Sequence, residues 1–144
     1  VTWDSALQPL TEDECLALLG QAHYGRVVVV TAEGRPEIFP VNFVLHGRTV
    51  AFRTSSPTIL GRAPLGHVVF EADHVDASTH EGWDVVVSGE GADITGSVDA
   101  NSVQARAEQL EPWAPGQKDH WVAIVGPTFH GRRLYIPAPP PQYF

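Results

Sequence analysis

Between residues 39 and 62 the chain carries polar and charged side chains where an apolar strand pattern does not call for them. Phe39-Pro40-Val41-Asn42-Phe43 sets a proline and an asparagine among large apolar residues. Proline has no backbone donor, so within a strand it marks an edge or a bulge. An amide in such a strand must find a hydrogen-bond partner, and for Asn42 a ligand amide or carbonyl is a candidate. Phe52-Arg53-Thr54 then ends the next segment with a guanidinium and a hydroxyl, and Ser55, Ser56 and Thr58 follow. A guanidinium with hydroxyls at a strand end is chemistry for holding an anion. An arginine paired with an acid, beside an ordinary Ser/Thr turn, explains the same residues.

Other chemistry-bearing groups are weaker. Asp73, His74, Asp76 and His80 lie close enough in sequence to offer oxygen and imidazole ligands to a divalent ion. A solvated acidic loop between two strands is the preferred reading, and no metal site is expected. Glu33, Glu37, Glu71 and Glu90 could move protons, but nothing in the sequence pairs two of them, and surface or structural duty is expected. Cys15 falls in the first turns of a candidate helix with no His or Lys tied to it, so it reads as a small buried hydrophobe. There is no Gly-x-Ser-x-Gly elbow, no phosphate loop ending in Gly-Lys-Ser/Thr and no zinc-protease helix after His80-Glu81. No catalytic residue stands out.

These residues must be positioned by a chain of 144 residues with 43% hydrophobic content, enough for a real core and consistent with one domain over residues 1–144. A formal charge of −8 argues against a nucleic-acid binder and against docking on anionic membranes. The longest apolar runs, residues 15–19 and 121–125, are far shorter than a bilayer span. One cysteine and no signal-like start suit a cytoplasmic location.

Thr11-Glu12-Asp13-Glu14 has capping-box spacing and predicts a helix over residues 11–22. Strands are expected at 24–31, 37–45 and 49–54, joined by short glycine-bearing turns into an antiparallel meander. The unbroken valines 27–30 predict burial on both faces of the first of these. Proline at 57 suits the start of a short helix over 57–63. Further strands are expected at 67–72, at 83–94 with a bend near Gly89 and Gly91, and at 121–125 and 129–136. A helix is expected at 101–110, and residues 137–141 read as an extended proline-rich strap. Short strands with few helices favour a closed or nearly closed antiparallel barrel, with a sandwich as the alternative.

In order along most of the chain, these motifs resemble the pyridoxamine-phosphate-oxidase-like, FMN-binding split-barrel family, in particular its small actinobacterial-type members. The resemblance is carried by Leu10-Thr11-Glu12-Asp13-Glu14-Cys15, Gly25-Arg26-Val27, residues 34–43, Phe52-Arg53-Thr54, residues 69–73, residues 82–87, Trp121-Val122-Ala123-Ile124 and Gly131-Arg132-Arg133-Leu134. It implies a mainly β, antiparallel split barrel with a few short helices, forming a homodimer with cofactor sites at the subunit interface. It implies FMN as cofactor, with a deazaflavin or haem as alternatives, and hydride transfer to or from a small-molecule substrate. The ring-contacting strand matches Pro40, Val41, Asn42 and Phe43. The phosphate-binding positions match Arg53, Thr54 and Thr58, and Trp83 of the Gly82-Trp83-Asp84 segment is expected near the flavin, from either subunit.

The departures from that family pattern run against an anionic ligand. Relatives tend to read Gly-Thr-Lys where this chain reads Pro57-Thr58-Ile59, so the expected lysine is Ile59, with no lysine near it in sequence and Arg62 as the candidate substitute. Asp84 and Glu90 stand where relatives carry Ser and Arg. A non-redox ligand-binding protein on the same fold, with an eroded phosphate site, is the alternative function.

Overall fold

The computed structural model describes residues 7–60, 65–135 and 142–143. The strands are β1 (Leu7–Leu10), β2 (Tyr24–Val30), β3 (Pro36–His46), β4 (Thr49–Thr54), β5 (His67–Asp76), β6 (Glu81–Asp93) and β7 (His120–Leu134). The helices are α1 (Glu12–Leu19), α2 (Pro57–Leu60) and α3 (Ala100–Ala107). The proline-rich strap, Arg62 and the side chain of Thr58 lie outside the described residues.

The capping box forms: Glu14 N donates to Thr11 Oγ1 at 3.2 Å, and Thr11 N donates to Glu14 Oε1 at 3.0 Å. α1 stops at Leu19, short of the expected Ala22, because Gln21 and Ala22 donate to Leu18 and Leu19 in a tightened terminal turn. α3 is capped by Asp99, whose Oδ2 accepts from Ser102 N at 2.9 Å. The bond from Ser102 N holds the Asp99 carboxyl below the usual range, and the bonds with Thr11 do the same for Glu14. Folded values below the unfolded ones mean stability that is present above the ordinary carboxylate range and lost as pH falls through the lowered values. Thermal midpoints measured down an acid series should therefore drop, and the drop should be shallower in Asp99→Asn.

The strands close into an antiparallel barrel in the order β7-β4-β3-β2-β5-β6, with β6 returning to β7, so a barrel and not a sandwich is formed. β1, which the sequence did not announce, adds onto β7 from Leu7↔Leu134 to Leu10↔Gly131. The two expected terminal strands are a single strand of 15 residues, because Gly126, at φ 61°, sits in a bulge that lets pairing with β6 resume. The register shifts between Ser88 and Glu90, beside the expected bend. At Gly89 a Cβ would lie 2.6 Å from the Val125 carbonyl, so only glycine permits that approach.

The core is the inward face of this barrel: Val27, Val29, Phe43, Val50, Phe52, Val68, Phe70, Val85, Val87, Val122 and Ile124 are all buried. Phe43 and Phe70 pack at a centroid distance of 4.7 Å. The expectation for the valine run is corrected here. Val27 and Val29 face inward, while Val28 is only half-buried and Val30 is 41% exposed, because alternate residues of β2 lie on the barrel's outer wall. Cys15 is fully buried on Gly131, where a Cβ would come within 2.5 Å of its Sγ. Burial pushes its thiol pKa up, helped by Glu14 and Glu12, which fits an inert hydrophobe.

Candidate functional site

Loop 108–119, between α3 and β7, is stitched across the middle of β3 and the end of β4. Arg53, near the end of β4, donates from Nε to the Lys118 carbonyl at 3.1 Å and from Nη1 to the Leu110 carbonyl at 3.2 Å. Its guanidinium lies 5.9 Å from the Trp121 ring centroid. Ser55 Oγ accepts from Asp119 N at 3.0 Å. Asn42 Oδ1 accepts from Trp113 N at 2.8 Å, while its Nδ2 donates to the His23 carbonyl at 3.0 Å. The partner that Asn42 requires is therefore this chain's own backbone on both sides, and its amide pins the loop to β3.

Between the loop, the middle of β3 and the end of β4 lies a cleft of about 330 Å³. It is lined by Phe39, Pro40, Val41 and Asn42 of β3, by Arg53, Thr54, Ser55, Ser56 and Ile59, and by Pro112, Ala114 and Lys118 of the loop. The lining offers apolar groups against which a flat ring can pack, together with an arginine, a lysine and three hydroxyls. No Asp or Glu is among the described residues that line it.

The hydroxyls are turned by local bonding. Thr54 Oγ1 accepts from Ser56 N at 3.0 Å, and Ser56 Oγ accepts from Ile59 N at 3.4 Å as the cap of α2, with Pro57 in its first turn. A hydroxyl that accepts a backbone N–H still has its own proton to donate. Ile59 is 3% exposed and belongs to the main core cluster. The backbone turn that Ser56 caps thus points residue 59 inward, where an ammonium would be costly to bury.

Three other arginines are neutralised by carboxylates. Arg26 bonds both Glu71, at 2.8 Å, and Asp73, at 2.6 Å. Burial pushes the Glu71 carboxyl pKa up even so. Arg48 pairs with Glu12, and Arg132 holds Asp84 through two bonds, of 3.2 and 2.8 Å. Asp84 is thus spoken for, and its charge does not oppose an anion in the cleft. Arg53 has no carboxylate partner among the described residues, so its pairing is with backbone carbonyls and not with an acid. The candidate metal ligands do not converge. Asp73 turns to Arg26, and Asp76 accepts from Ser78 N, Ser78 Oγ and Thr79 N within its own turn.

Of the residues singled out from sequence, Pro40, Val41, Asn42, Arg53 and Thr54 meet in the cleft. Phe43 does not line it; its ring is buried farther along β3 against Phe70. Trp83 lines a second cleft of about 260 Å³, with Leu7, Asp73, Val75, Gly82, Asp84, Arg132 and Leu134. Lys118 was missed in the sequence because it stands 65 positions after Arg53. Only the pairing of Thr54 with His120 brings it across.

A family model for pyridoxamine 5'-phosphate oxidase matches residues 11–133. The chain belongs to the pyridoxamine 5'-phosphate oxidase family. The match reaches from the cap of α1 almost to the end of β7, so all the described cleft residues fall within it. The uncharacterized protein Rv0080 of Mycobacterium tuberculosis is 34% identical over 131 residues, spanning 87% of this chain and 84% of that protein. A solved FAD-binding protein from Mycobacterium smegmatis is 34% identical, with a TM-score of 0.70, covering 90% of this chain and all of that one. An FAD- and haem-binding protein of the same organism shares the fold at 16% identity and a TM-score of 0.57, covering 95% of this chain and 77% of that one. Among the described residues no helix is long and apolar enough to cross a membrane.

Proposed function

We propose that this member of the pyridoxamine 5'-phosphate oxidase family binds a flavin nucleotide, FMN in the first instance, in the cleft under loop 108–119, and works as an oxidoreductase on a small molecule. The observation that carries this reading is the cleft lining: among the described residues, two cations, three hydroxyls and no carboxylate beside apolar groups, in a chain whose formal charge is −8. Such a lining suits a phosphorylated aromatic ligand. The FAD-binding relative at 34% identity supports a flavin.

A bound flavin would supply hydride transfer. The chain's residues have the simpler tasks. Phe39, Pro40 and Val41 supply apolar contacts for the ring at the strand they share. Arg53, Thr54, Ser55 and Ser56 hold the phosphate end. The loop, pinned by Asn42 and Arg53, excludes water from one side.

A homodimer belongs to the same proposal. On the outer wall of β2 and β3, beside the cleft, Tyr24, Val30 and Ile38 are exposed by 51, 41 and 61%, and Trp113 packs on Tyr24 at 5.6 Å between ring centroids. A second copy seated on this wall would cover the open side of the ring. Trp83, remote from the cleft within one chain, is then a candidate contribution from the partner. The haem alternative has less support, since no His, Cys or Tyr is among the described residues that line the cleft.

The purified protein should be yellow, or should quench FMN fluorescence at micromolar concentrations, and should scatter light as a dimer. A colourless protein that leaves FMN fluorescence unchanged overturns the flavin reading. A stronger response to a deazaflavin than to FMN reassigns the cofactor.

A further inference from the structure

We propose that Lys118 and Arg53 form a two-point clasp for a phosphate group, and that Lys118 sets the preference of the cleft for a phosphorylated flavin over free riboflavin. The inference rests on the flavin reading and adds a residue to it. Lys118 is placed by its backbone: its carbonyl accepts from Arg53 Nε at 3.1 Å, so the lysine is held beside the guanidinium that grips it. On the far side, Asp119 N donates to Ser55 Oγ, which fixes the strand end on the other flank of the loop.

Both cations keep hydrogen-bonding capacity. A guanidinium has five N–H groups, and Arg53 uses two of them on described partners. An ammonium has three, and Lys118 Nζ makes one long bond, to the Pro115 carbonyl at 3.4 Å. Arg53 and Lys118 both line one cleft, with no carboxylate among its described lining residues, and a dianion there would meet two cations. A phosphomonoester carries close to two negative charges at neutral pH. The charge of the clasp therefore matches the terminal phosphate of a mononucleotide, and a pyrophosphate is the related alternative. The clasp also places a cation at the cleft although residue 59 is apolar and buried. The charge comes from the loop before β7 and not from the helix after β4.

The test is isothermal titration calorimetry of the full chain and its Lys118→Gln and Lys118→Arg variants with riboflavin, FMN and FAD. The unsubstituted protein is expected to bind FMN more tightly than riboflavin. Lys118→Gln should weaken FMN roughly ten- to a hundredfold while leaving riboflavin unchanged, and Lys118→Arg should keep most of the preference. The FMN preference should also shrink with added salt. The bonds that anchor the loop use the backbone of Lys118, so the thermal midpoint should stay put and report that the fold is intact. If FAD is the tightest ligand and suffers the same loss, the clasp holds a pyrophosphate. If Lys118→Gln leaves the ratio of FMN to riboflavin affinity unchanged, the clasp is overturned while the flavin reading stands. If neither flavin binds the unsubstituted protein, the flavin reading falls and the clasp with it.

Discussion

Replacing Arg53 with glutamine is expected to weaken FMN binding by roughly a hundredfold and to loosen loop 108–119 from the barrel. Two effects combine. Removal of a hydrogen bond to a charged group costs about 1.5–3 kcal/mol, which is roughly ten- to a hundredfold in affinity. The guanidinium also holds the Leu110 and Lys118 carbonyls, and a neutral side chain of different shape cannot span both. Riboflavin should therefore lose affinity as well, by a smaller factor, because the wall of the cleft shifts. This separates Arg53 from Lys118, whose substitution should touch the phosphate alone. Flavin titrations, with amide exchange followed across residues 108–119, check both parts. Unchanged exchange in the loop would show that Asn42 and Ser55 suffice to anchor it.

The largest effect on stability is expected at Phe70. This ring is fully buried, packs on Phe43 at 4.7 Å between centroids and fills the space that Gly25 leaves open. Phe70→Ala should cost about 3–5 kcal/mol, the sum of lost burial and a cavity that the closed barrel cannot collapse around. In a domain of this size that is roughly 10 °C or more in thermal midpoint. The effect should reach the cleft. Gly25 pairs with Val41, and a Cβ there would meet the Phe70 ring at 2.4 Å and the Glu71 carbonyl at 2.5 Å. The cleft wall thus leans on the fit between Gly25 and Phe70. Denaturant unfolding of Phe70→Ala, with FMN titration beside it, should show both losses. A midpoint shift of only a degree or two would mean that the barrel repacks around the gap.

Much of the scaffold was legible in the sequence because it depends on neighbours along the chain. The capping box at Thr11 and Glu14, the proline-led start of α2 and the hairpins around Gly34 and Gly47 are each decided within a few residues. The same holds for the first half of the site. Pro40, Val41, Asn42, Arg53 and Thr54 lie on two adjacent strands of one meander, so a local pattern suffices to bring them together.

Tertiary pairing decided the rest. β7 closes the barrel by pairing with both β4 and β6, and through that pairing Lys118 and loop 108–119 come over the middle of β3 and the end of β4. No spacing rule links residues 53 and 118, so the sequence shows the lysine missing at Ile59 but not the one that strand pairing brings to the cleft. Barrel curvature gave the valine run an outer face, and β1 became a strand only because β7 had an edge to offer. The sequence by itself determined where an anion could be held. Only the closed barrel determined that Lys118 lines the same cleft as Arg53, because the lysine arrives through strand pairing and not through proximity along the chain.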